Sequence, residues 1–586
     1  MSSSRLQSYR FGPFHLDVSD RVLLREGESI ALTPKAFDLL LALVQNRGHL
    51  LSKETLIRQV WPKTFIEENN LAVHISILRK ALGEASNGIE YIKTWPRRGY
   101  SFVANVLEGP AEEISASTLR SIAVLPFRVI SSDSGDEYLG VGMSDAIITR
   151  LSQITQIAVR PTSAVLKYAG GEIDPIEAGH ELGVDAVLSG RVTKAGDQIR
   201  VTVQLIAVVG NSLLWADKLD HSFTGVFTYE DFISEHVAQA LNLKLSGEQI
   251  DRLTKRHTVN SAAYWACLKG RYYLGKRSPE SFKKAMEYFQ YASEKDPNYS
   301  LAYSGLADSH TLLNYYGAKP AQAGMSLAKT AALKAIEADD SLAEAHASMG
   351  LTRFWYDWEW LEAEFEFERA IELNPAYATA HQWYGWYLAA MDRRDESLAE
   401  GTRALEIDPQ APAINMALGK SFLFSRLYDE SIRQCRQTLE LDPNFIPAHF
   451  FLGQAYEHKG MYRDAIAEYR IAVEASGGFP LGQAILAKVQ ALDGKRVEAE
   501  ATLNRLLHLH ETGEEYVPAY GIVLIYLGLG DTNRAIEWLS KAFEERFIWL
   551  VYVNVDPVFD SLRGQPGFDR LVERMEFPNP PDSLLF

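Results

Sequence analysis

Cysteine is nearly missing from this sequence: only Cys267 and Cys435 occur in 586 residues. Two isolated thiols exclude a disulfide framework and a cysteine-built zinc site, and they suit a reducing compartment. No run of about 18 apolar residues occurs, so no segment is expected to span a bilayer. The opening residues, MSSSRLQSYRFG, lack the apolar stretch of a signal peptide. Both absences point to the cytoplasm, with no membrane as partner. Catalytic patterns are missing too: there is no H-E-x-x-H, nucleophile elbow or nucleotide loop, and His508 and His510 share a helix without further metal ligands. The glycine-containing pieces GVG (140–142) and AGGE (169–172) lack the order of a dinucleotide or P-loop fingerprint and read as turns and helix starts. No enzymatic activity, cofactor or metal is expected.

What is present is a composition ordinary for a soluble protein, 47% hydrophobic and 23% charged, in a chain long enough for several cores. The formal charge of -17 would disfavour nucleic acid if it were spread evenly. It is not. Residues 1–106 hold 14 Lys and Arg against 10 Asp and Glu, a net +4, so the remainder carries -21. Any nucleic-acid contact is thereby confined to the amino-terminal end.

That end opens with three strand-like runs, YRFGPFHLD, RVLLREG and ESIALT, separated by short turns. Thr33 before Pro34 marks a helix start, with Thr as N-cap and Pro in the first turn, and Phe37, Leu40, Leu41 and Val44 supply a buried face. Gly48 ends it. Ser52, with Thr55 three residues on, starts a second helix, SKETLIRQVW. A third runs from Asn69 to Leu82. At 100° per residue Leu71, Ile75, Leu78 and Leu82 fall in one narrow arc, which is its core face. Asn69, Val73, Ser76 and Lys80 lie on the opposite arc with Arg79 at the side, and YIKTWPRRGYSFVANV closes the region as a basic hairpin. A helix with small or polar groups outward fits a DNA major groove. Arg97 and Arg98, between Pro96 and Gly99, suit a narrow minor groove.

The order of these elements, with LTPKAFDLLLALVQNRG, VHISILRKALG and YIKTWPRRGYSF, resembles the OmpR/PhoB-type winged-helix domain, especially its CadC/ToxR-like branch, over nearly all of residues 8–106. The resemblance implies that the third helix enters the major groove and the hairpin wing the minor groove. It gives Asn69, Asn70, Val73, His74, Ser76, Arg79 and Lys80 groove or phosphate roles, and places Arg97 and Arg98 on the wing. Many relatives carry Arg where this chain has Ile77, so their target sequence does not transfer. It also implies RNA polymerase as a partner through the loop PKTFIEE, and pairing of two copies on tandem DNA sites, although no dimer seam is visible. No receiver domain precedes the winged helix, and LEGPAEEISASTLRS reads as a polar linker rather than a membrane helix.

From SIAVLPF onward the pattern is α/β. A helix with Met143, Ile147 and Leu151 at four-residue spacing is followed by strands in which Val184, Ala186 and Leu188, then Ile199, Val201, Val203 and Leu205, alternate. SIAVLPF and GVDAVLSGRV resemble the TolB amino-terminal-like domain, which implies no defined chemistry. After residue 258 a period of 34 sets in: Pro375, Pro409 and Pro443, then Gly385, Gly419 and Gly453, with Ala404 and Ala472 two periods apart. These residues resemble tetratricopeptide repeats, roughly seven or eight in number. VNVDPVFDSLRGQPGFDRLVERM breaks the period and is expected to cap the last repeat. Trp355, Trp358, Trp360, Trp383, Trp386 and Tyr387 form an aromatic cluster that reads chiefly as core, with part of it lining a groove for a peptide or effector.

The expected fold is therefore multidomain: an N-terminal winged helix-turn-helix (α+β, residues 1–106), a linker (107–120), a central α/β domain (121–245) and a C-terminal all-α tetratricopeptide-repeat solenoid with its cap (258–586). The function expected is a bacterial transcriptional regulator, with double-stranded DNA held by the winged helix and a protein, peptide or signal received by the repeats. The alternatives are an interaction scaffold whose winged helix contacts RNA polymerase, and a small-molecule sensor using the central domain.

Overall fold

A computed structural model describes residues 7–18, 21–25, 28–30, 32–61, 68–82, 91–96, 98–104, 106–110, 119–131, 136, 138–152, 154, 156–169, 174–195, 198–222, 226–241, 243, 257–315 and 320–578. The chain divides into two compact units, Met1–Thr118 and Leu119–Phe586.

In the first unit the alternating runs form strands β1 (Gln7–Phe11), β2 (Phe14–Asp17), β3 (Val22–Arg25) and β4 (Glu28–Ile30). They join β7 (Leu107–Pro110) in an antiparallel sheet of order β4-β3-β2-β1-β7. Helix α1 (Pro34–Gln45) starts where Thr33 Oγ1 accepts the Ala36 amide, and α2 (Lys53–Val60) where Ser52 Oγ accepts that of Thr55. Each cap satisfies an amide that the first helical turn leaves without an internal partner. Helix α3 (Glu68–Ala81) and the hairpin β5 (Ile92–Trp95) and β6 (Gly99–Phe102) complete the unit. Its core joins Phe11, Phe37, Leu40, Leu56 and Phe102 to Leu71, Ile75, Leu78 and Leu82 of the expected arc.

The second unit begins with a mixed six-stranded sheet. Its strands are β8 (Ser121–Val124), β9 (Arg128–Ile130), β10 (Ala158–Val159), β11 (Ala186–Ala195), β12 (Gln198–Ala207) and β13 (Ser212–Ser222). The order is β10-β8-β11-β12-β13, with β9 also beside β11. The β8, β9, β10 and β11 pairings are parallel; β11-β12-β13 is an antiparallel meander. Helix α4 (Tyr138–Leu151) contains the GVG glycines, and they serve packing. A Cβ on Gly140 would lie 2.0 Å from the Phe127 carbonyl oxygen, and one on Gly142 3.0 Å from Leu268.

Eight helix pairs follow among the described residues, beginning with Ser261–Gly275 and Pro279–Lys295 and ending with Ala519–Leu529 and Thr532–Glu544. The first helices of the pairs stack as an inner row and are buried almost all round: in Ala378–Ala390 only Thr379 escapes full burial. The second helices are amphipathic and form the outer row. An unusual clamp recurs at the repeat period. His346, His381 and His449 place Nδ1 2.6 Å from Glu366, Glu400 and Glu468, while Nε2 bonds a backbone carbonyl in the turn before its own helix. Asn415 and Gln434 supply an uncharged version at 2.8 Å.

Two features explain why the inner row is so buried. First, the sheet domain docks on it. Arg271 Nε lies 2.7 Å from Asp145 of α4, Lys269 Nζ sits 4.3 Å from the Tyr138 ring centroid, and Ser163 Oγ donates to Asp408 from across the groove. Burial pushes the Asp408 carboxyl up to about 6. Second, the carboxy-terminal segment does more than cap the last pair. Trp360 Nε1 donates to the Met575 carbonyl at 3.0 Å, Arg426 forks onto Asp560 at 2.7 and 2.8 Å, and Tyr552 stacks on Phe424 with centroids 4.6 Å apart. The segment thus reaches back to the third and fifth pairs. It covers most of the aromatic cluster, which serves chiefly as core, in keeping with its expected role. Trp355, Trp386 and Tyr387 are at most 3% exposed, and of the six aromatics only Trp383 borders the open groove.

Among the described residues no helix is long and apolar enough to cross a membrane. Cys267 and Cys435 are free and buried, and His510 bonds the Val517 carbonyl and packs on Trp538.

Candidate nucleic-acid interface

The exposed face of α3 carries Ala72, Val73, Ser76, Ile77 and Lys80. Val73 is 56% and Ile77 38% exposed, high values for branched aliphatic side chains on a helix whose other face is fully packed. From Val73 to Lys80 the helix rises about 10 Å, a span that fits along a major groove about 12 Å wide. Asn69 and Asn70 belong to the first turn of α3, but their side chains lie outside the described residues.

Two of the residues given groove or phosphate roles also make contacts within the domain. Arg79 turns back onto the wing, where Nη2 donates to the Ile92 carbonyl at 2.5 Å and to Thr94 Oγ1 at 2.8 Å. It is a joint between α3 and β5. The His74 ring stacks on Trp61 at the end of α2, centroids 5.2 Å apart and planes 19° from parallel. Lys35 lies on the same indole at 6.0 Å and donates to the Val60 carbonyl at 2.7 Å, so the three side chains fasten α1, α2 and α3 together.

The wing is fixed from below. Its strands pair Ile92 with Phe102 and Trp95 with Gly99, and the Arg98 amide donates to the Trp95 carbonyl at 2.9 Å, closing a turn with Pro96 at its second position. Arg97, the third residue of that turn, lies outside the described residues. Leu51, just before α2, exchanges amide-carbonyl hydrogen bonds with Tyr100 at 2.9 and 3.0 Å. This close approach requires glycine next door. At Gly99 φ is +143°, and a Cβ would lie 1.9 Å from the Leu51 carbonyl oxygen.

Lys80 and Arg98 are exposed, and neither is paired with a carboxylate among the described residues. Beside them stand Lys93 and Trp95, which sequence reasoning alone missed. Both are exposed, two residues apart on β5, with Lys93 Nζ 4.8 Å from the Trp95 ring centroid and the indole N–H donating to Ser101 Oγ at 3.0 Å. Period-two spacing on a basic hairpin was the available signal.

Known proteins are similar to this chain in sequence. The family model described as "Transcriptional regulatory protein, C terminal" matches residues 27–102, from β4 through the wing. The amino-terminal domain is of the OmpR/PhoB type. A second model, the second domain of HilA/YgeH-like transcriptional regulators, matches residues 117–234, and a tetratricopeptide-repeat model matches residues 416–480. The TolB likeness of the central domain rests on sequence resemblance alone. Among curated proteins, the transcriptional regulator HilA of Salmonella paratyphi A is 26% identical over 401 residues, 67% of this chain and 69% of its own length. The transcriptional activator CadC of Escherichia coli is 31% identical over 133 residues, 22% of this chain and 26% of CadC. A protein of Rhizobium meliloti named putative adenylate cyclase 3 is 29% identical over 269 residues, 45% of either chain. The DNA-binding domain and repeats together make this chain a DNA-binding transcriptional regulator, with the α3 face and wing as the regulator's candidate interface.

Proposed function

We propose that α3 lies in the major groove of promoter DNA with Asn69, Asn70, Val73 and Ser76 toward the base edges. Lys80 contacts phosphate, and Arg97 and Arg98 enter the adjacent minor groove. Val73 and Ile77 offer methyl groups to thymine C5-methyls, a contact that replaces arginine reading of guanine. Arg79 acts through the wing it holds, and His74 through the packing of α3. The observation that carries this reading is the exposed pair Lys80 and Arg98, neither bonded to a carboxylate among the described residues, flanking a row of small and aliphatic side chains.

The regulator works in the cytoplasm by binding rather than catalysis. Regulation enters through the second unit, where a groove of about 1160 Å³ runs between α4 and the inter-repeat turns. Seven carboxylates border it against three basic groups, a balance suited to a basic or neutral segment of a partner protein. The loop at residues 62–68, most of it outside the described residues, offers a contact to RNA polymerase, and two copies bind tandem DNA sites.

The test is a binding titration of the full chain on a duplex that it selects from genomic fragments. Replacing Arg97 and Arg98 with Ala should weaken binding several-fold or more. It should also lower the slope of log affinity against log salt by about 0.9 for each phosphate that is no longer neutralised. Unchanged affinity rejects the wing assignment.

A further inference from the structure

Beneath the carboxy-terminal segment lies a second, smaller chamber of about 80 Å³, separate from the DNA interface and from the acidic groove. Its walls come mainly from the inner helices of the fifth to eighth pairs and from the segment that folds over them, with Tyr315 of the second pair and Tyr469 of an outer helix. Most of the surface is apolar, as at Phe450, Leu481, Ile485 and Leu524.

Gln454, Lys488, Asp556 and Lys420 are polar or charged lining residues, and Lys420 stands apart among them. It is 2% exposed, lines the chamber, and sits among rings, with Nζ 4.1 Å from the Tyr552 centroid and 4.6 Å from that of Trp386. An ammonium has three donors, and here one is used, toward the Tyr552 hydroxyl at 3.0 Å. No carboxylate pairs with it among the described residues, whereas the neighbouring Lys488 is paired with Glu457 at 2.8 Å. Asp556, the carboxylate nearest in effect, accepts from the Val558 amide at 2.9 Å and from Gln454 at 3.4 Å. A lone buried cation is costly unless it is neutralised or given a counter-ion. Burial pushes the Lys420 ammonium well below the usual lysine range, against the pull of Asp556, and pushes the Asp556 carboxyl up to about 6.

A second observation points the same way. The indole Nε1–H of Trp549, another lining residue, is buried with no acceptor among the described residues. Indole N–H and ammonium are donors only. Beside its one lining carboxylate, Asp556, whose Oδ1 is already engaged, the chamber has unfilled donors in Lys420 and Trp549 and an apolar body, which complements a small carboxylate with a hydrocarbon tail. Its size gives room for roughly five to eight water-sized atoms. Ile446, Pro447 and Phe479 border both this chamber and the acidic groove, so only a thin wall divides the two.

We propose that this chamber is a binding site for a small organic monocarboxylate, with Lys420 Nζ as its counter-ion and the aromatic and aliphatic walls holding its tail. The site goes beyond the DNA-binding reading and does not depend on it. Such a ligand bridges the repeats and the segment folded over them, and so locks that segment down.

The experiment is thermal unfolding of the full chain with isovalerate, with the isosteric neutral isovaleramide, and with chloride at matched ionic strength. Isovalerate should raise the melting temperature, and isovaleramide and chloride should not. Lys420→Met should melt at the same or a higher temperature without ligand, because an apolar side chain of similar volume replaces an uncompensated charge. It should lose about tenfold or more in isovalerate affinity, as expected for one charge-assisted hydrogen bond. Ile485→Phe, which keeps Lys420 and fills the chamber, should also abolish the isovalerate shift. The proposal is overturned if isovaleramide stabilises as well as isovalerate, if either variant keeps the full shift, or if the wild-type chain shows none up to the solubility limit.

Discussion

Arg79→Ala separates two ways in which a basic residue can serve DNA binding. The guanidinium makes two hydrogen bonds to β5, at 2.5 and 2.8 Å, from a half-buried position. Hydrogen bonds from a charged donor are worth about 1.5–3 kcal/mol each when buried, and partial exposure lowers the pair to about 1–3 kcal/mol in total. If the wing must be ordered against α3 to reach its groove, that loss appears as roughly 5- to 150-fold weaker binding. The dependence on salt should differ from that of a phosphate ligand. Each phosphate neutralised adds about 0.9 to the slope of log affinity against log salt. Arg79→Ala should leave that slope unchanged, whereas Arg98→Ala and Lys80→Ala should each reduce it by about 0.9. Fluorescence anisotropy of a labelled duplex, titrated with the full chain across a salt series, reads both quantities. A slope reduced as much by Arg79→Ala as by Arg98→Ala would refute the anchoring argument and make Arg79 a phosphate ligand.

Gly99→Ala should destabilise the winged-helix unit by on the order of 3 kcal/mol, since the new Cβ meets the Leu51 carbonyl and the Leu51–Tyr100 hydrogen bonds must part. Chemical denaturation followed by Trp61 and Trp95 fluorescence checks this, and wild-type stability would contradict it. In the repeats, the hydrogen bond that His449 Nδ1–H donates to the Glu468 carboxylate holds His449 above its ordinary 6.5, against burial. A histidine raised on folding stabilises fully below about pH 6.5, and its contribution is lost as pH rises through the folded value. Replacing His449 with Asn and Glu468 with Gln copies the uncharged clamp at Asn415 and Gln434. The wild-type chain should therefore lose more stability than the double variant as pH rises from about 6.5 through the raised folded value. Parallel stability curves would show that the clamp does not titrate in that range.

Local chemistry was legible in the sequence wherever it decides local structure. Thr33 and Ser52 announce their helices because the cap lies within three residues of the amide it serves. Leu71, Ile75, Leu78 and Leu82 mark the core face of α3 because burial follows the helical period. The repeats show themselves through Pro375, Pro409 and Pro443, since each stacked unit needs the same turn. The His–Glu clamp was readable by the same arithmetic, as the spacing of Glu366, Glu400 and Glu468, but no motif drew attention to it. What could not be read is contact across long stretches of chain. Trp360 and Met575 are 215 residues apart, and nothing in either neighbourhood announces the other. Arg79 looks like any exposed helix arginine until the wing is placed 13 residues on, where two acceptors meet it. The aromatic cluster was legible as core, but not the segment that covers it, because that segment comes from the far end of the chain.

The central claim is that α3 and the wing read DNA, and selection of bound duplexes from a random pool tests it most directly. The full chain should enrich one motif. Val73→Gln should change the base preferred at one position of that motif while leaving the rest, because an amide hydrogen-bonds adenine where a valine meets a methyl group. Failure of the wild-type chain to enrich any motif, or an identical motif from Val73→Gln, would contradict the account.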